Sequence, residues 1–217
     1  MTISHILFDL DNTLYPSTSG IMPMFDVRIA EYVRNFLHLD EEEAQKVRES
    51  YFSTYGTTLR GLQLNYGDMV DVEDYLHYIH DMEISAFLAL DAELDTRLGG
   101  IVTPKSIFTN SPIEHAQRVL KALGIERHFA QIFDLRYHGF DAKPSLSAYE
   151  RVVAALGVPP SELAFVEDTP QNLVPAHQLG MTTILLSDEP SAPDHPLADY
   201  VVPDILAALG VLKELEG

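Results

Sequence analysis

Three amphipathic segments of this chain end in Leu-Gly followed by an apolar residue, at Leu123-Gly124-Ile125, Leu156-Gly157-Val158 and Leu179-Gly180-Met181. A glycine just past a helix stops it in a left-handed conformation, and the apolar residue after it seals the end with a hydrophobic contact. The helical spacing ahead of two of these stops is explicit. Ala116, Val119, Leu120 and Leu123 recur at i, i+3, i+4 and i+7, and Tyr149, Val152, Val153 and Leu156 repeat the pattern. Short apolar runs lie between the helices: Lys105-Ser106-Ile107-Phe108-Thr109, Gln131-Ile132-Phe133-Asp134-Leu135, Leu163-Ala164-Phe165-Val166, Thr183-Ile184-Leu185-Leu186 and Tyr200-Val201-Val202. Such runs suit parallel strands covered on both faces. The alternation predicts an α/β sheet with right-handed crossovers and a site at the carboxyl ends of its strands.

The stretch from about Tyr15 to about Leu94 breaks the alternation, with helical patterns and little that reads as strand. Asp40 with Glu43 forms a capping box opening one helix, and Gly56, Gly61 and Gly67 punctuate the middle. A helical lobe inserted directly after the first strand is the expected arrangement, set as a lid over what that strand carries.

That first strand is His5-Ile6-Leu7-Phe8, and it runs into Asp9-Leu10-Asp11-Asn12-Thr13. Side chains at i and i+2 share one side of a strand, so two carboxylates arrive together at the sheet's end. They repel unless a cation or a proton separates them, which points to metal binding, acid–base chemistry or both. The same string is also common as a solvated turn, so its weight depends on what the other strands carry.

Three later strand ends add to it. Thr109-Asn110-Ser111-Pro112-Ile113-Glu114 places Ser111 as an N-cap, Pro112 at the first helical position and Glu114 to complete a capping box. The N–H groups of that helix start would form an anion site beside the Thr109 hydroxyl and Asn110. Asp141-Ala142-Lys143-Pro144 precedes another helix, where a lysine can reach a phosphate or hold two carboxylates together. Phe165-Val166-Glu167-Asp168-Thr169-Pro170 ends a strand in adjacent acids. Joined to Asp9 and Asp11, they would complete an all-oxygen Mg2+ site that keeps some water and binds phosphate.

In this order the four segments resemble the haloacid dehalogenase-like superfamily, specifically its phosphotransfer members, over nearly the whole chain. Asp9, Asp11 and Thr13 match the first motif, Thr109 the second, Lys143 the third and Glu167-Asp168 the fourth. The resemblance implies a Rossmann-like parallel sheet core with helices on both faces, formed by residues 1–14 and 95–217. Residues 15–94 would form an all-helical cap domain. It also implies roles. Asp9 is the nucleophile that forms an aspartyl-phosphate, and Asp11 protonates the leaving oxygen and then takes a proton from water. Asp11 must then be protonated at neutral pH, and neighbouring Asp9 and Asp168 are expected to push its carboxyl up. Asp9, the backbone carbonyl of Asp11 and Asp168 would ligate Mg2+, with Glu167 acting through water. Thr109, the Asn110 backbone and Lys143 would hold the phosphoryl oxygens. A haloacid dehalogenase proper needs neither Mg2+ nor an acid at position 11, so Asp11 favours phosphate chemistry.

Tyr55-Gly56-Thr57-Thr58-Leu59-Arg60-Gly61-Leu62 is similar to a segment of the pyrimidine 5'-nucleotidase branch, as is Asp9-Leu10-Asp11-Asn12-Thr13-Leu14-Tyr15-Pro16. Arg60 would reach the phosphate or bond a base or sugar, or else stay solvated on its helix. Tyr55 is a candidate to stack on a ring, although most tyrosines here would pack the lobe. His77 and His80, at i and i+3, are read as an exposed helical face without a ligand role. The expected partner is a small phosphorylated metabolite, a pyrimidine nucleotide first. The alternatives are a sugar or pyridoxal phosphate, a phosphomutase, and a non-catalytic phosphate-binding or regulatory protein.

Composition sets the outer bounds. The 217 residues suffice for a core domain plus an inserted lobe, and 46% hydrophobic with 22% charged residues is ordinary for a globular chain. With no cysteine, any metal must sit on oxygen or imidazole. A formal net charge of −19 argues against a nucleic-acid polymer as partner. No basic segment followed by a cleavable apolar stretch opens the sequence, and no run reaches membrane-spanning length, so a cytoplasmic protein is expected.

Overall fold

The apolar runs pair edge to edge as parallel strands, buried at the centre of the sheet and partly exposed at its two edges. The computed structural model describes residues 2–187 and 196–216. Its strands are β1 (His5–Phe8), β2 (Lys105–Phe108), β3 (Gln131–Phe133), β4 (Leu163–Glu167), β5 (Thr182–Leu186) and β6 (Tyr200–Val202). All neighbours are parallel, in the order β3-β2-β1-β4-β5-β6. The chain builds outward from β1 to β3, then returns to lay β4 on the other side of β1. That reversal makes the carboxyl ends of β1 and β4 the topological switch point, where such sheets place their sites.

The helices in chain order are α1 (Ile21–Leu37), α2 (Glu41–Tyr55), α3 (Thr58–Tyr66), α4 (Val72–His80), α5 (Ala92–Gly99), α6 (Ile113–Leu123), α7 (Leu146–Leu156), α8 (Pro170–Leu179) and α9 (Ile205–Leu215). On one face of the sheet Leu7, Phe108, Phe133, Phe165 and Leu185 pack with Ala148, Tyr149 and Val152 of α7 and Leu173 and Ala176 of α8. Alternation turns Ile6, Phe8, Ile107, Val166 and Ile184 to the other face, where each is at most 1% exposed. Burying a side chain of this size is worth about 1.5–3 kcal/mol, so both faces must be covered, and the strands carry no polar alternation. The glycines at 124, 157 and 180 each take a positive φ (77°, 64° and 85°) just past α6, α7 and α8.

The chain divides into two compact units, Met1–Thr18 with Leu88–Gly217, and Ser19–Phe87. The larger holds the sheet and α5 to α9, with α5 packed on α9. The smaller consists of α1 to α4, in which α1 packs on α2 and α4, and α2 on α3. Asp40 caps α2 through the Glu43 N–H at 2.9 Å, and the reciprocal bond completes the capping box. Tyr32 and Tyr75 meet edge to face at 4.9 Å in the interior of this unit, while Tyr55 is exposed at the end of α2.

Two expectations for the smaller unit change. Gly56 and Gly67 do end helices, but Gly61 lies within α3. A Cβ there would sit 2.4 Å from the Tyr51 ring, so Gly61 permits close packing of α2 on α3 and marks no turn. His80 is buried, with Nδ1 2.8 Å from the Leu76 carbonyl and its ring against Phe25, while His77 is exposed. The pair therefore does not form one solvated face: i+3 on a short amphipathic helix has carried His80 round to the apolar side. Among the described residues, no helix is long and apolar enough to cross a membrane.

Candidate active site

Backbone hydrogen bonds bring the strand-end residues together. The Asp9 N–H donates to the Val166 carbonyl at 2.9 Å, which extends the β1–β4 ladder and sets Asp9 beside Glu167. Asn12 then takes φ 60°, a left-handed conformation that asparagine tolerates better than most residues. The turn closes through the Leu14 N–H to the Leu10 carbonyl at 3.0 Å. On the next strand the Thr109 N–H donates to the Phe133 carbonyl at 3.0 Å, fixing the end of β2.

Lys143 is the cation at the centre. Its Nζ lies 2.6 Å from Asp9 Oδ1 and 2.8 Å from Glu167 Oε2, with the rings of Phe108 and Phe165 at 5.1 and 5.2 Å. The side chain is 1% exposed. Burial lowers its proton affinity, but Asp9 and Glu167 outweigh that and hold Lys143 above the ordinary lysine range, so it stays charged. The acids respond in the other direction. Burial, then the Glu167 charge, push Asp9 up to about 7 against the pull of Lys143. Burial pushes Glu167 up to about 7, with Lys143 opposing and Asp168 adding. Asp168 is raised by burial and by Asp9. One lysine thus faces three carboxylates, and the cluster keeps a deficit of positive charge.

The surrounding groups fix these acids in place. Thr13 Oγ1 donates to Asp9 Oδ2 at 3.2 Å. Glu167 Oε2 also accepts from Asn172 Nδ2 at 3.1 Å, and Oε1 accepts the N–H groups of Asp168 and Thr169 at 3.2 and 3.1 Å. Oxygens of Asp9, Glu167 and Asp168 lie within 4.8 Å of one another, a spacing that can hold a metal ion. A donor set made only of carboxylates, short of positive charge, suits a hard divalent cation such as Mg2+.

The β2–α6 junction differs from the sequence expectation. Ser111 does not cap α6 and Glu114 completes no capping box: the N-cap is Pro112, and the Ile113 N–H is taken by Asp134 Oδ2 at 3.0 Å. Glu114 pairs with Arg136 at 2.8 Å instead. The Ser111 hydroxyl is free of the helix because it donates to Asp11 Oδ2 at 2.6 Å. Thr109 Oγ1 accepts the Ser111 N–H at 3.0 Å. The Asn110 side chain clamps the Lys143 backbone from both sides, accepting its N–H at 2.8 Å and donating to its carbonyl at 3.0 Å. Asn110 therefore positions Lys143 through its amide, a use its place in the motif did not suggest.

Asp11 is the largest correction. It was expected to have its carboxyl raised by Asp9 and Asp168. Burial does push it up, but the His115 imidazole beside it, with bonds from His115, Ser111 and Tyr15, holds it well below the usual carboxylate range. His115 Nε2 lies 2.8 Å and the Tyr15 hydroxyl 2.5 Å from Oδ1. The donors win because three hydrogen bonds to the charged form outweigh its desolvation. Tyr15, His115 and Asn172 were not singled out from the sequence. The available signal was spacing: Tyr15 is four residues after Asp11, and His115 four after Ser111.

Asp9, Asp11, Lys143, Glu167 and Asp168 thus share one end of the sheet with Thr109 and Asn110, all within the larger unit. Arg60, in the first turn of α3, and Tyr55 belong to the smaller one and are exposed.

A family model described as haloacid dehalogenase-like hydrolase matches residues 3–180. Phosphate metabolism protein 8 of Saccharomyces cerevisiae is 29% identical over 192 residues, covering 82% of this chain and 60% of the yeast protein. The chain thus spans about three-fifths of that relative's length. The glyceraldehyde 3-phosphate phosphatase of Methanocaldococcus jannaschii is 23% identical over 227 residues, covering 99% of each chain. The crystal structure of a HAD phosphatase from Thermococcus onnurineus superposes with a TM-score of 0.63 at 18% identity, over 98% of each chain. With six parallel strands among its described residues, its acids gathered at the β1–β4 switch point and a family match across most of its length, this chain belongs to the haloacid dehalogenase-like hydrolases.

Proposed function

We propose that the protein is a cytoplasmic, Mg2+-dependent phosphomonoester hydrolase that works through an aspartyl-phosphate on Asp9, with pyrimidine 5'-nucleotides as substrates. The observation that carries the reading is the separation of two carboxylates by environment. Asp9 sits among acids against Lys143, while Asp11 has its own donors. Two acids with different surroundings suit two roles. Carbon–halogen cleavage would need the first and not the second, and the names of the yeast and archaeal relatives both carry phosphate.

In this mechanism an Asp9 oxygen forms a bond to phosphorus as the ester O–P bond breaks, and the leaving oxygen takes a proton from Asp11. Asp11, now ionised, takes a proton from a water whose oxygen attacks phosphorus, releasing phosphate and restoring Asp9. The donors around Asp11 favour its ionised form, which suits the second step. For the first, the proton can arrive with the substrate, since a phosphomonoester keeps one proton up to about pH 6. Lys143 holds Asp9 in place and, with Thr109 and the Asn110 backbone, balances charge on the phosphoryl oxygens. Asp9, Asp168 and the Asp11 carbonyl would hold Mg2+, with Glu167 acting through water because both its oxygens already accept two hydrogen bonds. The bound cation would shield the attacking carboxylate from the phosphate's charge.

Substrate selection falls to the helical unit, the cap of this reading, with Arg60 and Tyr55 as candidate contacts. Arg60 supports it by spending its guanidinium on no hydrogen bond or ion pair among the described residues. The second reading, a sugar-phosphate phosphatase, is favoured by the archaeal relative's name. Phosphate release from UMP, CMP, dTMP, AMP, GMP, pyridoxal phosphate and several sugar phosphates, with Mg2+ or EDTA, decides between them. Mg2+-dependent release led by UMP and CMP is expected. A lead by a triose or other sugar phosphate would keep the chemistry and discard the nucleotide. No release from any ester would reject hydrolysis.

Metal binding should also show in stability, with a definite sign. Carboxyls held above their ordinary values cost the folded chain stability at pH above those values, and the cost is complete once pH passes about 7 for Asp9 and Glu167. A cation removes that cost and binds only the ionised acids. Saturating Mg2+ should therefore raise the melting temperature by roughly 5–10 °C near pH 8. Near pH 5.5, where these acids hold protons, the rise should be small. An equal rise at both pH values would mean the ion binds elsewhere.

A further inference from the structure

The Asp11 carboxylate is held by side chains to which the mechanism so far gives no part. Tyr15 reaches it from just beyond the β1 turn, Ser111 from the β2–α6 junction and His115 from the first turns of α6. All three are closed off from solvent: Tyr15 is 2%, Ser111 9% and His115 0% exposed. A carboxylate only accepts, so the imidazole Nε2 carries the hydrogen of its bond.

Their arrangement is unequal at the two oxygens. Oδ1 accepts from both His115 and Tyr15, which fills it, whereas among the described residues Oδ2 accepts from Ser111 alone. Oδ2 therefore keeps a lone pair, and its one partner is a hydroxyl that can turn from donor to acceptor. A proton in transit belongs on that oxygen. With Oδ1 pinned by two donors from different segments, rotation of the carboxylate is blocked and Oδ2 faces one direction. Proton transfer requires this, because an acid displaced by about 1 Å can lose a hundredfold in rate.

We propose that His115, together with Tyr15 and Ser111, forms a positioning device that fixes Asp11 with Oδ2 presented for proton transfer. This rests on the hydrolase reading above, with Asp11 as its acid–base group. The device also accounts for the Ser111 hydroxyl not capping α6, and for a buried histidine on an otherwise apolar helix face.

The test uses leaving groups of different need. The first irreversible step, reported by kcat/KM, requires an acid when an alkoxide leaves and hardly requires one when p-nitrophenolate leaves. The purified protein with Mg2+ would be assayed on p-nitrophenyl phosphate and on the best alkyl ester of the panel, with Asp11→Asn as the benchmark. His115→Leu keeps bulk and removes the donor, while His115→Gln places an amide N–H at the reach of Nε2. Tyr15→Phe removes a single oxygen and is informative even if His115→Leu fails to fold. Expected is a fall in kcat/KM for the alkyl ester of about 10–100-fold in His115→Leu and Tyr15→Phe. The aryl ester should fall by less than about threefold, and His115→Gln should recover most of the alkyl activity.

Equal losses on both esters, or none, in variants that melt as cooperatively as the parent would overturn the proposal and leave the hydrolase reading intact. An Asp11→Asn protein that loses both esters equally would remove the acid role and the positioning device with it. A parent that hydrolyses neither ester would overturn the function itself.

Discussion

Asp9→Asn is expected to lower turnover on any phosphomonoester by on the order of 10,000-fold or more, the scale seen when a nucleophile is removed. The same change should make the metal-free protein more stable near pH 8. The first effect follows from chemistry, since an amide oxygen does not form an acyl phosphate. The second follows from the site's charge. Asp9 is pushed up to about 7 by burial and by Glu167, so above that pH its ionised form costs the fold stability. The asparagine keeps the shape: its one amide oxygen can accept from Lys143 Nζ in place of Oδ1, while its NH2 takes the place of Oδ2 and the Thr13 hydroxyl turns from donor to acceptor. Removing the charge should contribute on the order of 1–3 kcal/mol near pH 8, or several degrees in melting temperature. Near pH 4, where both forms are neutral, the difference should vanish. Turnover within about tenfold of the parent would place the nucleophile elsewhere. A variant less stable near pH 8 would show that attraction to Lys143 outweighs repulsion among the acids.

The fold was legible because it depends on patterns that need no partner to read. Short uninterrupted apolar runs such as Leu163-Ala164-Phe165-Val166, set between helical repeats, suit strands covered on two faces, and Leu-Gly stops mark where helices end. The acids were legible for a related reason, since Asp9, Glu167 and Asp168 stand directly at the ends of β1 and β4, whereas Lys143 lies well beyond β3 and was legible only as a lysine ahead of a proline before α7. The environment of Asp11 was not, because its donors come from positions whose local role looked complete. Ser111 read as a cap, and Tyr15 only as part of the string at the start of the helical stretch. His115 sits within the helical repeat of α6 like any buried position. Which way these side chains turn depends on β1 lying beside β2, a tertiary fact absent from local spacing. Charge shifts were misjudged for the same reason. The acid neighbours of Asp11 were visible in the sequence and its hydrogen-bond donors were not, so the predicted shift had the wrong sign.

Lys143→Met should have the reverse signature of Asp9→Asn, losing both activity and stability. Methionine matches the lysine stem in length and can stay between the rings of Phe108 and Phe165, so the change isolates the charge. Activity should fall by about a hundred- to a thousandfold, the effect of removing one fixed group that balances charge in the transition state. Stability near pH 8 should fall by about 3–5 kcal/mol, since Asp9, Glu167 and Asp168 then lose the cation they surround. That corresponds to a drop of roughly 6–20 °C in melting temperature. The deficit should shrink near pH 5.5, where Asp9 and Glu167 take up protons and the missing charge matters less. Arginine should not rescue it, because a planar fork cannot replace a point charge held at 2.6 and 2.8 Å from two acids. Combining the two changes supplies the sharpest check on the electrostatics. Asp9→Asn removes one of the charges that Lys143 compensates, so it should stabilise the Lys143→Met background by more than it stabilises the parent. If instead the stability changes simply add, the Asp9–Lys143 contact is not what couples them, and the deficit of Lys143→Met must come from Glu167 and the packing around the lysine stem.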